Sequence, residues 1–221
     1  RALLALAAAT SLIAAPNFAF AQEKGLVGIA MPTKSSSRWI SDGESMVKQF
    51  TEAGYATDLQ YAEDDIPNQL AQIENMILNG ADILVISAID GSSLGTVLAI
   101  AKEEGIPVIA YDRLIMETDA VSYYATFDNY KVGQLQGEYL VQALGLETLE
   151  GSVNMEIVAG SPDDNNARYF YQGAIDVLMP YIESGKVRVP SGQIAFEAVA
   201  TLAWSSERAQ ARMDNLIASN Y

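Results

Sequence analysis

The stretch "ADILVISAIDGSSLGTVLAIAKEEGIPVIAYDR" (residues 81–113) contains two short apolar runs separated by an amphipathic segment. The runs "ILVISA" and "IPVIA" are rich in Val and Ile and lack polar alternation, which is typical of strands covered on both faces. An all-helical bundle fits poorly because the apolar runs are short. A strand, a helix and a second strand form a βαβ unit, so this stretch predicts a parallel sheet with right-handed crossovers.

The same alternation continues on both sides of this stretch. Apolar strands are predicted to begin near residues 26, 56, 82 and 106, with helices between them. After residues 121–129, the segments "NYKVGQLQGEYLVQALG", "NNARYFYQGAIDVLMPYIESG" and "SSERAQARMDNLIASN" predict helices, and "GSVNMEIVAG" and "KVRV" predict strands. No low-complexity linker separates the two sets, so the chain is expected to cross between lobes near residues 127–129. The sequence predicts an α/β protein of two lobes, residues 22–127 and a partial lobe 128–221, each a parallel sheet flanked by helices.

The first 21 residues, "RALLALAAATSLIAAPNFAFA", have the pattern of an export signal. One positive charge precedes an apolar run, and the segment ends in Ala19, Phe20 and Ala21, a small-x-small cleavage pattern. The alternative, a retained membrane anchor, is disfavoured because the run is too short to span a bilayer. We therefore expect cleavage after Ala21 and export of the mature chain.

Composition excludes several classes of function. The 221 residues carry 13 Lys and Arg against 28 Asp and Glu, a formal net charge of −15 that disfavours nucleic acid and anionic membranes as partners. The sequence has no Cys and no His, which excludes thiol nucleophiles, Ser-His triads and Cys/His zinc sites. Neither GxGxxG nor GxxxxGK[ST] occurs, and "PDDNN" does not continue as a calcium loop, so no cofactor or metal is expected.

Polar residues follow several of the predicted strands at their carboxyl ends. In open α/β sheets ligands bind in the crevice beyond those ends, so these side chains are expected to face one cleft. Carboxylates, guanidinium groups, amides and an indole together suit a neutral polyhydroxylated molecule. The residues concerned are Lys34, Arg38, Trp39, Asp90, Asp112, Arg113 and the loop "SPDDNNAR" (residues 161–168).

Each of these features also has a purely structural interpretation. Asp112 and Arg113 could form an ordinary exposed ion pair, which contributes little to stability. Trp39 could simply pack against the sheet. The "PDDNN" segment could cap the helix that follows it, and it could serve both purposes. These alternatives remain open on the sequence alone.

The segments "QIENMILNGADILVISAIDGSSL", "GIPVIAYDRLI", "YYATFDNYKVGQLQG" and "GSPDDNNA" resemble the periplasmic aldose-binding proteins of ABC importers, including multiple-sugar-binding and xylose-binding receptors. The resemblance implies a non-enzymatic, two-lobed type I binding protein that closes on one monosaccharide, such as xylose, arabinose, glucose or galactose. It also implies delivery to a membrane permease, signalling through a chemoreceptor or sensor kinase as a second use, and a monomer when full-length.

The resemblance also implies roles for individual residues. Arg38, Asp112 and Arg113 are expected to bind sugar oxygens, with Trp39 as an apolar wall. Asp164 and Asn166 of the second lobe are expected to close over the opposite edge of the sugar. Lys34 and Asp90 are weaker candidates, and Phe196 and Trp204 fit the family's next contact loop poorly.

Two other functions would share features of this sequence. A sugar-sensing regulator would share the lobes but would need a basic helix-turn-helix where the export signal stands. A carboxylate-dependent glycosidase is conceivable from the acids present. Further strands and sugar contacts are expected beyond Tyr221, and without them the 221-residue chain is expected to aggregate and to bind aldoses more weakly.

Overall fold

The protein is described by a computed structural model over residues 24–221, so the expected signal segment and its cleavage after Ala21 lie outside the described residues. Across the described range, no helix has the length and apolar character needed to cross a membrane. Strands and helices alternate along the chain in the order β1 (Leu26–Met31), α1 (Ser37–Glu52), β2 (Ala56–Tyr61), α2 (Ile66–Leu78), β3 (Ile83–Ile86), α3 (Gly95–Glu103), β4 (Val108–Tyr111), β5 (Val121–Ala125), α4 (Asn129–Ala143), β6 (Val153–Asn154), α5 (Asn165–Glu183), β7 (Val187–Arg188), α6 (Phe196–Val199), a 3₁₀ turn (Leu202–Trp204) and α7 (Ser206–Asn220).

The first lobe contains one parallel sheet with the strand order β2-β1-β3-β4-β5. The predicted strands β1 to β4 and the helices between them are confirmed. The sheet also includes β5, which pairs in parallel with β4 at its edge. Because all strands point the same way, their carboxyl ends meet at one edge, where the predicted polar residues follow them.

Helices cover both faces of this sheet, as the continuous apolar strands require. On one face, Ile73 and Met76 of α2 and Leu98 of α3 pack in one cluster with Leu84 and Ile86 of β3. On the other face, Val27, Ile29 and Met31 of β1 pack against Trp39 of α1. These side chains are almost fully buried. The second cluster fixes α1 and its Trp39 on the sheet, close to the carboxyl edge.

Within residues 24–221, four helices begin at a residue whose side-chain oxygen accepts a backbone N–H, the usual way in which a helix is started. These residues are Asp65 before α2, Asp128 before α4, Asp164 before α5 and Ser205 before α7. Of the three caps in the second lobe, Asp164 and Ser205 line the cavity that faces the first lobe.

In the second lobe, the predicted strands are shorter than the sequence suggested. The segment 151–160 pairs with its neighbour only as β6, and the "KVRV" segment only as β7. The Met155 N–H still donates to Arg188 O at 2.9 Å. The segment that follows β7 then enters a turn, in which the Gly192 N–H donates to Val189 O at 2.8 Å. Without a partner beyond that turn, residues 156–158 cannot continue the ladder.

Helices α4 and α5 of this lobe cross at very short distance. A Cβ atom built on Gly133 would lie 2.2 Å from Phe170 O, and one built on Gly173 would lie 2.1 Å from Tyr130 O. Only glycine permits this approach of the two backbones. The contact fixes α5, and therefore its first turn at Asp164, against the helix that follows the crossing between the lobes.

Candidate functional site

A cavity of about 950 Å³ lies between the two lobes. The first lobe lines it with the loops that follow β1, β2 and β4. The second lobe lines it with the amino end of α5 and with residues 203–208. Six of the eight residues proposed from the sequence line this cavity, namely Arg38, Trp39, Asp112, Arg113, Asp164 and Asn166.

A tight turn after β4 separates the neighbouring side chains of Asp112 and Arg113. Asp112 has a φ of 61°, a left-handed conformation that is uncommon for a residue with a side chain. Its N–H donates to Ala125 O at 2.8 Å, and the Arg113 N–H donates to Tyr111 O at 2.7 Å. The turn directs the two charged groups to different partners, so they do not form the exposed ion pair considered above.

The main-chain carbonyl of Asp112 joins the two lobes. It accepts hydrogen bonds from Tyr124 Oη at 3.1 Å, from Thr126 Oγ1 at 2.9 Å and from Asn166 Nδ2 of the second lobe at 2.8 Å. The Asn166 amide oxygen lies 3.1 Å from Tyr124 Oη and shares the single proton of that hydroxyl with the Asp112 carbonyl. Both ends of the buried Asn166 amide are therefore satisfied, and this fixes its position at the cavity wall.

Arg38 and Asp112 form an ion pair on the first-lobe wall. Arg38 Nη1 lies 3.0 Å from Asp112 Oδ2, and Arg38 Nε lies 3.3 Å from Asp42 Oδ2 on the next turn of α1. Burial alone lowers the pKa of Arg38, but the hydrogen bond to Asp112 and the charges of both carboxylates outweigh it and raise the pKa. The guanidinium stays charged, and its remaining N–H groups can donate to a ligand.

Arg113 forms a buried ion pair that crosses between the lobes. Its Nε lies 3.4 Å from Asp164 Oδ2, and the side chains of both residues are more than nine-tenths buried. Its Nη1 donates to Ala88 O at 2.9 Å. A buried guanidinium that binds both a carboxylate and a carbonyl is held in one orientation, because losing either partner would leave a polar group unpaired.

Trp39 has both of the roles that the sequence left open. It is 94% buried in the core cluster of the sheet, so it packs as a structural residue. Its ring also lines the cavity and lies beneath two guanidinium groups, 4.7 Å from Arg38 Cζ and 5.3 Å from Arg113 Cζ. Cation–π contacts of this kind orient both arginines.

Asp164 likewise combines the two interpretations given to "PDDNN". Its Oδ1 accepts from Asn166 N–H at 3.0 Å and starts α5. Its Oδ2 faces Arg113 and accepts from Trp204 Nε1 at 3.1 Å. Burial raises the pKa of Asp164, although Arg113 and the Asn166 and Trp204 donors each lower it.

Trp204 provides an aromatic wall on the second-lobe side. Trp204 and the preceding Ala203 both have left-handed φ values, 51° and 57°. The indole lies directly on Gly160, where an added Cβ would come within 2.1 Å of it. The glycine therefore makes room for the ring, and the bond to Asp164 fixes its orientation.

The other proposed residues do not line this cavity. Lys34 lies over the ring of Tyr61, with its Nζ 5.0 Å from the ring centroid. Asp90 closes a local turn by accepting from Ser92 N–H at 2.7 Å. Phe196 is buried on another face, where it packs under the guanidinium of Arg168 at 4.4 Å.

Sequence reasoning missed several residues of the cavity wall. They are Thr33 and residues 35–37 after β1, Asp64 after β2, Phe170 on α5, and residues 205–208 at the start of α7. The signal for Asp64 was present, because it follows a strand of the same sheet. Residues 205–208 gave no such signal, since no strand ends just before them.

The cavity wall combines paired charges with two aromatic rings. Carboxylate oxygens of Asp112 and Asp164 can accept hydroxyl protons, and Arg38 and Arg113 can donate to hydroxyl or ring oxygens. The rings of Trp39 and Trp204 can cover apolar C–H faces. Such an arrangement can hold a small neutral polyol by many directional contacts at once.

Comparison with known proteins agrees with this chemistry. The "multiple sugar-binding periplasmic protein SbpA" of Azospirillum brasilense is 61% identical over 93% of this chain and 57% of its own length. The "multiple sugar-binding periplasmic receptor ChvE" of Rhizobium radiobacter is 57% identical over 98% of this chain and 61% of its own length. The chain thus spans about three fifths of these relatives.

A solved structure is similar to the fold as a whole. It is an ABC transporter solute-binding protein from Clostridium phytofermentans with bound β-D-glucose, 62% identical, with a TM-score of 0.87 over 89% of this chain and 60% of that one. The model of the periplasmic binding protein domain family matches residues 27–221. The chain therefore belongs to the periplasmic binding protein domain family, and its relatives are sugar-binding members of it.

Proposed function

We propose that this chain is the sugar-binding part of a periplasmic solute-binding protein, which captures one aldose between its lobes and delivers it to an ABC importer. The observation that carries the proposal is the pairing of Arg38 with Asp112 and of Arg113 with Asp164 around one cavity that two indoles also line. The names of the relatives, which describe periplasmic sugar-binding proteins, support binding rather than hydrolysis.

Each wall has its own role in this proposal. Arg38 and Asp112 bind hydroxyl groups from the first lobe, while Asp164 and Asn166 bind them from the second. Arg113 donates to the ring oxygen or a hydroxyl from the base of the cavity, and Trp39 and Trp204 cover the sugar's apolar faces. The cavity volume of about 950 Å³ is at the upper end of the range for small-molecule sites, so it accommodates a pentose or a hexose.

The partners follow from the same proposal. A membrane permease receives the sugar, and a chemoreceptor or sensor kinase is a further partner, since the name of one relative describes a receptor. The working protein is a monomer that is exported to the periplasm by the segment 1–21. No cofactor takes part, because ligand capture requires only hydrogen bonding and burial.

Titration calorimetry with a panel of aldopentoses and aldohexoses tests the proposal. We expect Asp112→Ala to weaken binding of every aldose by at least about tenfold, because Arg38 and the sugar both lose their acceptor. Asp90→Ala is the matched control, because it also removes one acid after a strand of the sheet but lies off the cavity. Equal affinities in the two variants would contradict this assignment of the site.

A further inference from the structure

Asp64 is a cavity residue that none of the sequence motifs singled out. Glu63 and Asp64 adopt left-handed φ values of 56° and 57° in succession. The turn is held at both ends: the Asp64 N–H donates to Pro32 O at 2.9 Å, and Asp65 caps α2 through Asn68 N–H at 2.7 Å. Two adjacent strained residues persist only where the surroundings impose them, and such strain concentrates at ligand sites.

The carboxylate of Asp64 differs from its neighbours in lacking a cationic partner. Asp112 is paired with Arg38 at 3.0 Å, and Asp164 with Arg113 at 3.4 Å. In the described part of the chain, no Lys or Arg nitrogen lies within 4.0 Å of the Asp64 carboxylate. Glu207, the remaining acid of the wall, is exposed to solvent, whereas Asp64 is half-buried.

The groups around Asp64 leave most of its hydrogen-bonding capacity free. The Thr33 hydroxyl is a hydrogen-bonding group beside Asp64, but it holds one proton, which it also donates to Ser35 Oγ at 3.1 Å. Burial raises the pKa of Asp64, and the charges of Asp163 and Glu63 raise it further, while Thr33 and Arg113 lower it. The negative charge of ionised Asp64 is therefore only partly compensated by its surroundings. A hydrogen-bond donor or a positive charge on a ligand would supply the missing compensation.

We propose that Asp64 determines ligand specificity by binding the ammonium group of a protonated amino aldose, such as a 2-amino-2-deoxyhexose. The inference rests on the proposed function, because it assumes that an aldose occupies the cavity. An ammonium group supplies up to three hydrogen-bond donors and the positively charged partner that Asp64 lacks. A hydroxyl group supplies one donor and no charge. The cavity thus accepts amino sugars beside neutral ones.

Calorimetric titration with D-glucose and D-glucosamine at about pH 6, where a sugar amine is protonated, tests the proposal. We expect the wild type to bind glucosamine at least as tightly as glucose. Asp64→Asn should weaken glucosamine binding at least about tenfold more than glucose binding. Glu63→Gln is the matched control: it removes the same charge from the same turn at an exposed position off the cavity, and it should treat both sugars like the wild type.

A pH change separates recognition of the ammonium from a structural role. At about pH 9 the amine is neutral, so the glucosamine preference of the wild type should shrink while Asp64→Asn shows no such change. Equal weakening of both sugars by Asp64→Asn, or a wild type that binds glucose and not glucosamine, would overturn the inference and leave the proposed function intact. A wild type that binds no aldose would overturn the proposed function first.

Discussion

Arg113 is held in the cavity wall by contacts with both lobes. Its guanidinium binds Asp164 of the second lobe and the Ala88 carbonyl of the first while lying against the Trp39 ring. Lysine would keep the charge but lose the planar fork that reaches both partners. We expect Arg113→Lys to lower the free energy of unfolding by about 1–3 kcal/mol. The free energy of aldose binding should be weakened by a similar amount.

Denaturant unfolding and calorimetry of the same preparations check this prediction. Arg168→Lys is the matched control, because Arg168 pairs with Glu197 at an exposed site away from the cavity. Exposed pairs contribute little to stability because solvent screens them, so the control should differ little from the wild type. If Arg113→Lys bound aldoses as tightly as the wild type, the planar fork of the guanidinium would be unimportant for aldose binding.

Asp164 gives the site a dependence on pH. Burial raises its pKa above that of an ordinary Asp, so the folded protein holds this proton at pH values where the unfolded chain has released it. More protons bound in the folded state mean that Asp164's contribution to stability falls as pH rises through this window. Over the same window the carboxylate becomes available to accept sugar hydroxyls, so aldose affinity should rise.

Comparison with Asp164→Asn measures this effect, because the amide cannot titrate. We expect the affinity of the wild type to fall towards acid at a pH above the usual Asp range, while the affinity of the variant stays flat there. The difference in unfolding free energy between the two proteins should decline with rising pH in that window. Parallel affinity curves for the two proteins would exclude Asp164 as the titrating group.

The candidate residues predicted from the sequence were those that directly follow apolar strands. Asp112 and Arg113 could be placed at the cavity because β4 ends just before them. The different directions of the two side chains could not be predicted, because they depend on the left-handed turn at Asp112. Lys34 and Asp90 also follow apolar strands, but they do not line the cavity. Lys34 contacts the ring of Tyr61, and Asp90 accepts a hydrogen bond from Ser92.

At the scale of elements, the contact of α4 with α5 positions the second-lobe wall. An added methyl group at Gly173 would lie 2.1 Å from Tyr130 O, so Gly173→Ala forces the helices apart. We expect a loss of about 1–3 kcal/mol in unfolding free energy and weaker aldose binding, because the cap residue Asp164 moves with α5. Thermal melting and calorimetry measure the two effects.

Gly151→Ala is the matched control for this helix contact. A Cβ atom at that position has no neighbour within 4 Å, so the methyl group is accommodated without displacement. If Gly173→Ala melted and bound sugar like the Gly151→Ala protein, the close helix contact would have no part in placing the site.

The elements of the first lobe could be predicted because each apolar run is covered by helices on both sides. The strands of the second lobe were over-predicted, since the apolar segment 151–160 has a pairing partner over only a short length. The 3₁₀ turn at Leu202–Trp204 was missed because its left-handed residues are not the glycines that mark such turns in a sequence.

At the scale of the whole molecule, the lobes are joined by contacts between α5 and the turn after β4. Asn165 Nδ2 donates to Leu114 O at 3.3 Å, beside the bond from Asn166 to the Asp112 carbonyl. Residues 35–38 of the first lobe and residues 203–208 of the second line the same cavity. The contacts of α5 therefore hold the two lobes together beside the site.

The edge strand β5 exposes aromatic side chains on the surface of the molecule. Tyr123 is 68% exposed, and Phe127 just after the strand is 70% exposed. In the 221-residue chain β5 is the last strand of its sheet, and an open strand edge with exposed aromatic residues favours self-association of this chain. We expect Tyr123→Lys to reduce association, measured by sedimentation velocity, without changing aldose affinity, because Tyr123 does not line the cavity. Unchanged sedimentation would mean that this edge does not mediate association.

The most direct test of the central claim uses intrinsic fluorescence, because the sequence contains two tryptophans and both line the cavity. Titration with aldoses should give a saturable change in tryptophan emission, with a midpoint equal to the calorimetric dissociation constant. Trp39→Phe and Trp204→Phe should each remove part of the change, and Asp112→Ala should abolish it over the same concentration range. Tryptophan emission that stays constant across the panel of aldoses, while the protein remains folded, would contradict the proposal that a sugar binds between the lobes.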